Sequence, residues 1–457
     1  MNFQSSIALL LACALSGWAG AAHAQDAAAV QAVSGTAVVQ KRDGSVRSIA
    51  AGSAVQGGDV IITQPNSSAR IKFTDGGELS VAANSQLRID GYSYEETAPQ
   101  KDNLVMSLLK GGLRTITGVI SKRGNRDAYK LQTGTATIGI RGTEFIAALC
   151  DEECAKEAAQ SSGTARASDS DIVARVARLA GEASAAEKAG RTRALKVGSP
   201  LYEGDVIETH AGSHAVLVFA DEGRVTLQPD TRFAVERFRY AAARPHQGSS
   251  VVRLLKGGMR ALTGLIGKNH PQGYQVQTVT ATIGIRGTGF DAYCSGNCES
   301  SPGSSQPSPP PAEVSGLFVT TWHDEVMVQN GAGSQTVRVG QTAHVSSADQ
   351  PPLLLPEAPP FMRDAPGPRP DGIEIDFRQL FGELPNPGSS GLYVLVKDGL
   401  VLLVQGERIL ELERGESGFA GLAPGELHRV TVPPPVLDFL ERQLPPIAPP
   451  GSLICSY

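Results

Sequence analysis

The segment Ala136-Thr-Ile-Gly-Ile-Arg-Gly-Thr143 recurs, letter for letter, as Ala281-Thr-Ile-Gly-Ile-Arg-Gly-Thr288. An identity of this length inside one chain marks an internal duplication, and its spacing sets the size of the folding unit. The repeated residues are Gly, Thr, Ile and Arg. They shape a backbone; none is a nucleophile, metal ligand or proton shuttle.

The repeat extends outward from this core. Gly35, Gly52, Gly58-Asp59, Phe73, Asp75 and Gly77 meet Gly181, Gly198, Gly204-Asp205, Phe219, Asp221 and Gly223, each pair 146 positions apart. Leu109-Lys-Gly-Gly112 meets Leu255-Lys-Gly-Gly258 at the same spacing. The offset is 145 at Tyr129 and Tyr274, and 144 where Cys150 and Cys154 meet Cys294 and Cys298. Each unit is about 120 residues, the size of one domain. A shorter repeat lies downstream: Gly316-Leu-Phe-Val319 and Gly340 meet Gly391-Leu-Tyr-Val394 and Gly415 at an offset of 75. The order along the chain is core, core, tail, tail.

Runs such as Arg70-Ile-Lys-Phe73, Leu79-Ser-Val81 and Val216-Leu-Val-Phe219 alternate by twos and are punctuated by Asp-Gly turns. That pattern predicts antiparallel strands. Helical periodicity is confined to 374–381 and 436–440. Composition places the boundaries. Residues 1–24 read as an export signal: a short apolar run, Ile7 to Leu15, precedes Ala22-His-Ala24, and the run is too short to span a bilayer. An alternative is a lipoprotein signal at Leu10-Leu-Ala-Cys13. Core 1 spans 33–154, linker 155–172, core 2 173–298, and a Ser/Pro-rich linker 299–312. A tail at 313–346 is followed by a Pro-rich connector, 350–390, a second tail, 391–421, and a Pro-rich C-terminal segment, 430–457.

No other apolar stretch is long enough for a transmembrane helix. The net charge of −5, without a basic stripe, excludes a nucleic-acid footprint. These features predict a periplasmic or secreted protein.

The matched segments resemble the FecR domain family. They are the opening Gly-x-Val strand, Gly58-Asp-Val-Ile-Ile-Thr63 and Gly204-Asp-Val-Ile-Glu-Thr209, the Phe-x-Asp-x-Gly turn, Leu-Lys-Gly-Gly, and Gly-Ile-Arg-Gly-Thr. The resemblance covers both cores and implies an all-β fold in the cell envelope: two tandem β-sandwich-like, jelly-roll-like domains, with a β-helix-like roll as the alternative. The family's best-known members are inner-membrane regulators that act on an anti-sigma region. This chain has an export signal where those proteins have a cytoplasmic helical region and a membrane span.

Candidate chemistry is sparse. Arg141 and Arg286 are the charges in a small, apolar stretch, and read as buried or half-buried framework residues tied to a carboxylate such as Asp59, Asp205, Asp75 or Asp221. Gly139, Gly284, Thr143 and Thr288 complete that structural motif. Cys150–Cys154 and Cys294–Cys298 read as local disulfides, since an exported chain is oxidised and no His flanks either pair. His210 and His214 have metal-ligand spacing, but their repeat equivalents are Gln64 and Ser68, so no metal is assigned. No catalytic residue and no cofactor site emerges. The reading is a non-enzymatic binding or scaffold module with an envelope protein or glycan as partner. The alternative is a periplasmic signal-transduction partner related to FecR-type anti-sigma regulators. A cell-wall hydrolase lacks an identifiable constellation. Cys455 is left without an assigned partner.

The order core, core, tail, tail predicts nesting. Tail 316–345 completes the second core, and tail 391–420 returns across the chain to complete the first, whose sheet edge would otherwise stay open. Non-reducing peptide mapping of exported protein is expected to recover both Cys-x3-Cys pairs, each contributing about 2 kcal/mol at most through its very short loop. Free thiols at all four positions would refute them.

Overall fold

The computed structural model describes residues 26–152 (except 124 and 126), 154, 172–298 (except 189 and 243), 315–430 (except 384–388), and 436, 437, 440, 441 and 444. Residues 1–24, expected to be an export signal and including Cys13, most of linker 155–172, linker 299–312 and Cys455 lie outside these residues.

Among the described residues the chain forms two sheets of fifteen strands each, with matching strand orders. The all-β reading holds. The first sheet runs, in order, Val46–Ser48, Ala37–Gln40, Val60–Thr63, Gln86–Ser93, Asn103–Ile116, Tyr129–Gln132, Thr137–Cys150, Gly391–Gln405, Ser417–Gly421 and Leu427–Val430. Asp26–Ser34 opens the domain and pairs with Ala54–Gln56 and Ser68–Phe73. The second sheet repeats the scheme from Ile172–Ala180 to Leu353–Leu355. Both domains thus begin with a strand that starts ahead of the boundary expected from the sequence.

Each sheet folds back on itself, and two 14-residue strands make the corners. Asn103–Ile116 pairs through Asn103–Lys110 with Gln86–Ser93, then through Leu113–Ile116 with Glu78–Val81. The switch falls at Gly111, whose φ is +77°; a Cβ there would lie 2.2 Å from Ser85 Oγ. Gly257 repeats both features, with φ +81° and Thr231 Oγ1 2.5 Å away. Only glycine fits. Ser85 and Thr231 in turn accept the N–H of Gly112 and of Gly258, each at 2.9 Å.

Thr137–Cys150 turns in the same way. Thr137–Gly139 pairs with Tyr129–Gln132, whereas Glu144–Leu149 pairs with the far half of Asn103–Ile116. Between them the register slips from Arg141 to Glu144, and in the second copy from Arg286 to Gly289. Gly142 (φ +50°) and Gly287 (φ +64°) occupy the two bulges. The repeated Ile-Arg-Gly-Thr segment is therefore a β-bulge that bends the strand.

The bend wraps one core per domain. Ile71, Leu79, Leu108, Tyr129, Ile138 and Phe145 fill the first; Leu217, Val225, Leu254, Tyr274, Ile283 and Phe290 hold the corresponding positions in the second. The strand Gly391–Gln405 lies antiparallel along Thr137–Cys150 from Cys150–Gly391 to Thr137–Val404. It supplies Leu392, Val394, Val396, Val401 and Leu403 to the core built by residues 28–147. The segment Gly316–Asn330 pairs in the same manner with Thr282–Ser295. The whole second sheet is thus inserted between two adjacent strands of the first.

The stretch read as a plain Pro-rich connector is structured over much of its length. Leu353–Leu355 is the last strand of the second sheet, and residues 360–373 form a strap across that domain's outer face, burying Met362, Pro370 and Ile373. Val436, Leu437, Leu440 and Leu444 cover the same face of the first domain. The two straps are repeats: Pro359-Pro-Phe-Met362 and Pro434-Pro-Val-Leu437 are again 75 apart. Of the expected helices, 374–381 forms over Phe377–Phe381 with Asp376 as its N-cap; residues 438 and 439 of the one expected at 436–440 lie outside the described residues.

Gly257→Ala is expected to destabilise the second domain by roughly 2 kcal/mol or more, through left-handed backbone strain and the clash with Thr231. Arg141→Ala, by contrast, should stay within about 0.5 kcal/mol of wild type. Thermal unfolding of the two variants checks the contrast.

Candidate functional site

The repeated carboxylates are framework groups. Asp75 accepts the N–H of Gly77 at 3.0 Å and of Ile120 at 3.2 Å; Asp221 accepts those of Gly223 and Ile266, both at 3.1 Å. Each ties an Asp-x-Gly turn to a short helical segment 45 residues on. Burial pushes both carboxyls above the usual range, against the opposing pull of these N–H donors. Asp59 is paired with Lys41 at 2.8 Å, and Asp205 with Arg193 at 2.5 Å.

Arg141 takes no part in this network. It is exposed, because Ile138 and Ile140 point into the core and strand alternation puts Gly139 and Arg141 on the outer face. The framework element of the motif is the bulge glycine, and the expected burial of this arginine is corrected. Gly139 and Gly284 lie on open strand surface with no atom closer than 3.7 Å to an added Cβ. The side chains of Arg286, Thr143 and Thr288 lie outside the described ones. His210 is exposed at a turn and His214 begins a strand. Among the described residues no group of three or more His, Cys, Asp or Glu converges, and no helix is long and apolar enough to cross a membrane.

Both Cys-x3-Cys pairs are disulfides, with Cα atoms 5.3 and 5.2 Å apart. The two are not structural equivalents. In the sheets Leu149 faces Gly111 and Cys294 faces Gly257, so the offset of 145 runs on through the strand. Cys150 corresponds to Ser295, one residue further along. One residue along a strand reverses the face. Accordingly Cys294 and Cys298 pack into the inner core, whereas Cys150 and Cys154 pack with the outer strap.

The densest charge cluster joins the two domains. Arg175, on the first strand of the second domain, pairs with Glu416 in the tail of the first; their side chains are 3% and 1% exposed. Arg429 pairs with the same carboxylate at 3.0 Å, and Phe381 lies against the Arg175 guanidinium. Tyr202 is sandwiched between Arg193 and Arg414 and donates its hydroxyl to the Arg414 carbonyl at 2.7 Å. Lys196–Glu411 and Arg191–Asp398 extend the contact. Burial, then the charge of Glu416, pushes the Glu413 carboxyl up.

These residues break the repeat. The counterparts of Arg175, Arg191, Lys196 and Tyr202 are Ala29, Ser45, Ala50 and Gln56; those of Asp398, Glu411, Arg414 and Glu416 are His323, Thr336, Val339 and Gln341. Only one domain carries each half, so the contact closes within the chain. A charge present in one copy alone is the sequence signal for this contact, because positions that serve the shared fold keep their residue type in both copies.

The hairpin that carries Asp398 and Glu411 has a counterpart in the second domain, Gly316–Asn330 with Gly333–Arg338. There, Glu325, Gln329 and Thr336 face Asn269, His270, Gln272 and Gln275 across an open polar groove of ≈ 790 Å³. This groove is a candidate surface for a partner.

The FecR protein family model matches residues 59–166 and 205–302. Two crystal structures of a candidate anti-sigma factor from Parabacteroides distasonis ATCC 8503, at 1.65 and 2.50 Å resolution, match at 15% identity with a TM-score of 0.25. Each match covers 33% of this chain and 59% of that one. A cell surface anchoring domain matches at 22% identity over 14% of this chain and 82% of its own, with a TM-score of 0.13. No curated protein matches the chain at a significant level.

Glu416→Ala would leave the Arg175 charge buried between the domains without its carboxylate. The expected cost is about 3–5 kcal/mol, read as a lowered denaturation midpoint.

Proposed function

We propose that this chain, a FecR-family protein with two FecR-like domains, is a non-enzymatic binding or scaffold module of the cell envelope, acting from the periplasm or outside the cell. The observation that carries the reading is how the chain uses its own hairpins. The hairpin built from Gly391–Gln405 and Arg408–Glu413 is docked by the second domain through Glu411–Lys196 and Arg414–Tyr202. Its counterpart, Gly316–Asn330 with Gly333–Arg338, presents an open groove of amide and hydroxyl side chains. Such groups donate and accept at once, which suits a peptide backbone or a sugar. We favour a protein partner, because docking of a protein surface is what the first hairpin already does. Membership of the FecR family supports a second reading, a periplasmic signal-transduction partner related to anti-sigma regulators.

A photo-crosslinking residue placed at Gln272 or Gln329 is expected to capture a defined partner from envelope extract. Gln275→Arg should reduce that capture about tenfold with the melting temperature unchanged, since an interface core group contributes on the order of 1–2 kcal/mol. Equal capture from a crosslinker at Lys130, on the first domain, would refute the groove as the binding surface.

A further inference from the structure

The contact between the two domains consists of a turn and the strand face on which it sits. In the first domain's tail, turn 413–416 carries Arg414 and Glu416 onto Tyr202 and Arg175 of the second domain. The duplication built each of these surfaces twice. In the second domain's tail, turn 338–341 repeats that backbone: Gly340 has φ +78° and Gly415 +77°. Both donate their N–H at 2.8 Å, to the carbonyls of Thr321 and Val396. Gln341 Oε1 accepts the Arg338 N–H as Glu416 Oε2 accepts that of Glu413. The strand face is repeated in the same way. Ala29 pairs with Ala54 as Arg175 pairs with Pro200, and Asp59 and Asp205 accept the N–H of Gln56 and of Tyr202, both at 2.9 Å.

Docking within the chain uses one copy of each surface. There Arg175, Tyr202 and Glu416 are buried. At the counterpart positions Ala29 is exposed and Gln56 and Gln341 are half-buried, while Val339, in the place of Arg414, is 59% exposed. Val46 is 60% exposed, and its counterpart Thr192 lies between the interface residues Arg191 and Arg193. The substitutions are joint. The pairs Arg175–Glu416, Lys196–Glu411 and Tyr202–Arg414 become Ala29–Gln341, Ala50–Thr336 and Gln56–Val339. Each pair loses its charges, or its ring contact, on both sides at once. A charged version of either surface would bury an unpaired ion against the other; these two meet as small, apolar and amide groups. The arginines nearby are engaged in their own domains: Arg47 donates to the Ala54 carbonyl at 2.6 Å, and Arg338 is the cross-strand partner of Glu325.

We propose that turn 338–341 of the second domain docks on the first domain of a second copy of this chain, over Ala29 and Gln56. The contact made within one chain is thus repeated between chains. The two surfaces lie on different domains and are different patches, so the association is heterologous and builds a head-to-tail series of copies rather than an isologous dimer. Thr336 belongs both to this contact and to the polar groove. The proposal therefore rests on the reading above and names the chain itself as the protein partner of that hairpin.

Sedimentation velocity of the purified full-length chain is the test. The average sedimentation coefficient is expected to rise between about 10 µM and about 1 mM, as for a small transient contact. Val339→Glu and Ala29→Glu should each abolish the rise with the melting temperature unchanged, since Arg414 and Arg175 show that both backbones carry long charged side chains. An equimolar mixture of the two variants should form a one-to-one complex and nothing larger, because each keeps the face that the other has lost. Gln56→Tyr combined with Val339→Arg, which transplants the Tyr202–Arg414 contact, should tighten association roughly tenfold. A chain that stays monomeric throughout, full association in either single variant, or a mixture that remains monomeric would each overturn the proposal. A monomer that still captures a different protein at Gln272 overturns this proposal alone and leaves the reading above standing.

Discussion

The fold depends on four left-handed glycines: Gly111 and Gly142 in the first domain, Gly257 and Gly287 in the second. Each sits where a 14-residue strand leaves one set of partners and takes up another. A strand that long, buried on both sides of its bend, would otherwise stay flat and leave half its apolar residues in water. The bulges supply the bend, and the sheet closes over its own inner face. Ser85 and Thr231 press against Gly111 and Gly257 so closely that no side chain fits. The corner is thus fixed by sterics and by a hydrogen bond at the same residue.

Once the sheet is bent, the long second-corner strand still has an edge to cover. In each domain that edge takes a 15-residue strand from the tail, whose first four to six residues are buried on both faces because core lies on one side and strap on the other, while the rest alternates. For the first domain this strand comes from beyond the entire second domain. The consequence is a chain whose two domains cannot separate as beads on a string. The second domain enters and leaves beside the same pair of strands, and its entry strand brings Arg175 against Glu416. The buried ion cluster is positioned by the insertion, and neither domain alone would carry both halves of it.

Duplication supplied two equal frames, and divergence gave them different surfaces. The framework positions stayed: Asp75 and Asp221 hold nearly the same pair of N–H groups, and Tyr129 and Tyr274 fill the same core position. What changed lies outside the bends. Acidic residues collected on the tail of the first domain, and basic residues on the facing strands and turns of the second. The cysteine pairs moved one residue relative to each other, which sends one disulfide inward and the other toward the strap.

The sequence by itself determined the strand class, the duplication and the pairing of each core with a tail, because these follow from period-two alternation, spacing and the open sheet edge an incomplete core would leave; the left-handed corners at the repeated glycines emerged only with the strand register. Much of the candidate chemistry was not legible there. Arg141 stood out by composition, yet alternation with Ile138 and Ile140 assigns it to the outside, a reading available from the sequence once a strand is assumed. The cysteines looked equivalent by spacing, and only the strand register shows that they are not. The interdomain ion cluster and the groove join residues up to more than two hundred positions apart. Tertiary structure decided them, because burial and side-chain contact depend on which faces the inserted domain and the straps cover, and a one-residue change of register reverses that outcome.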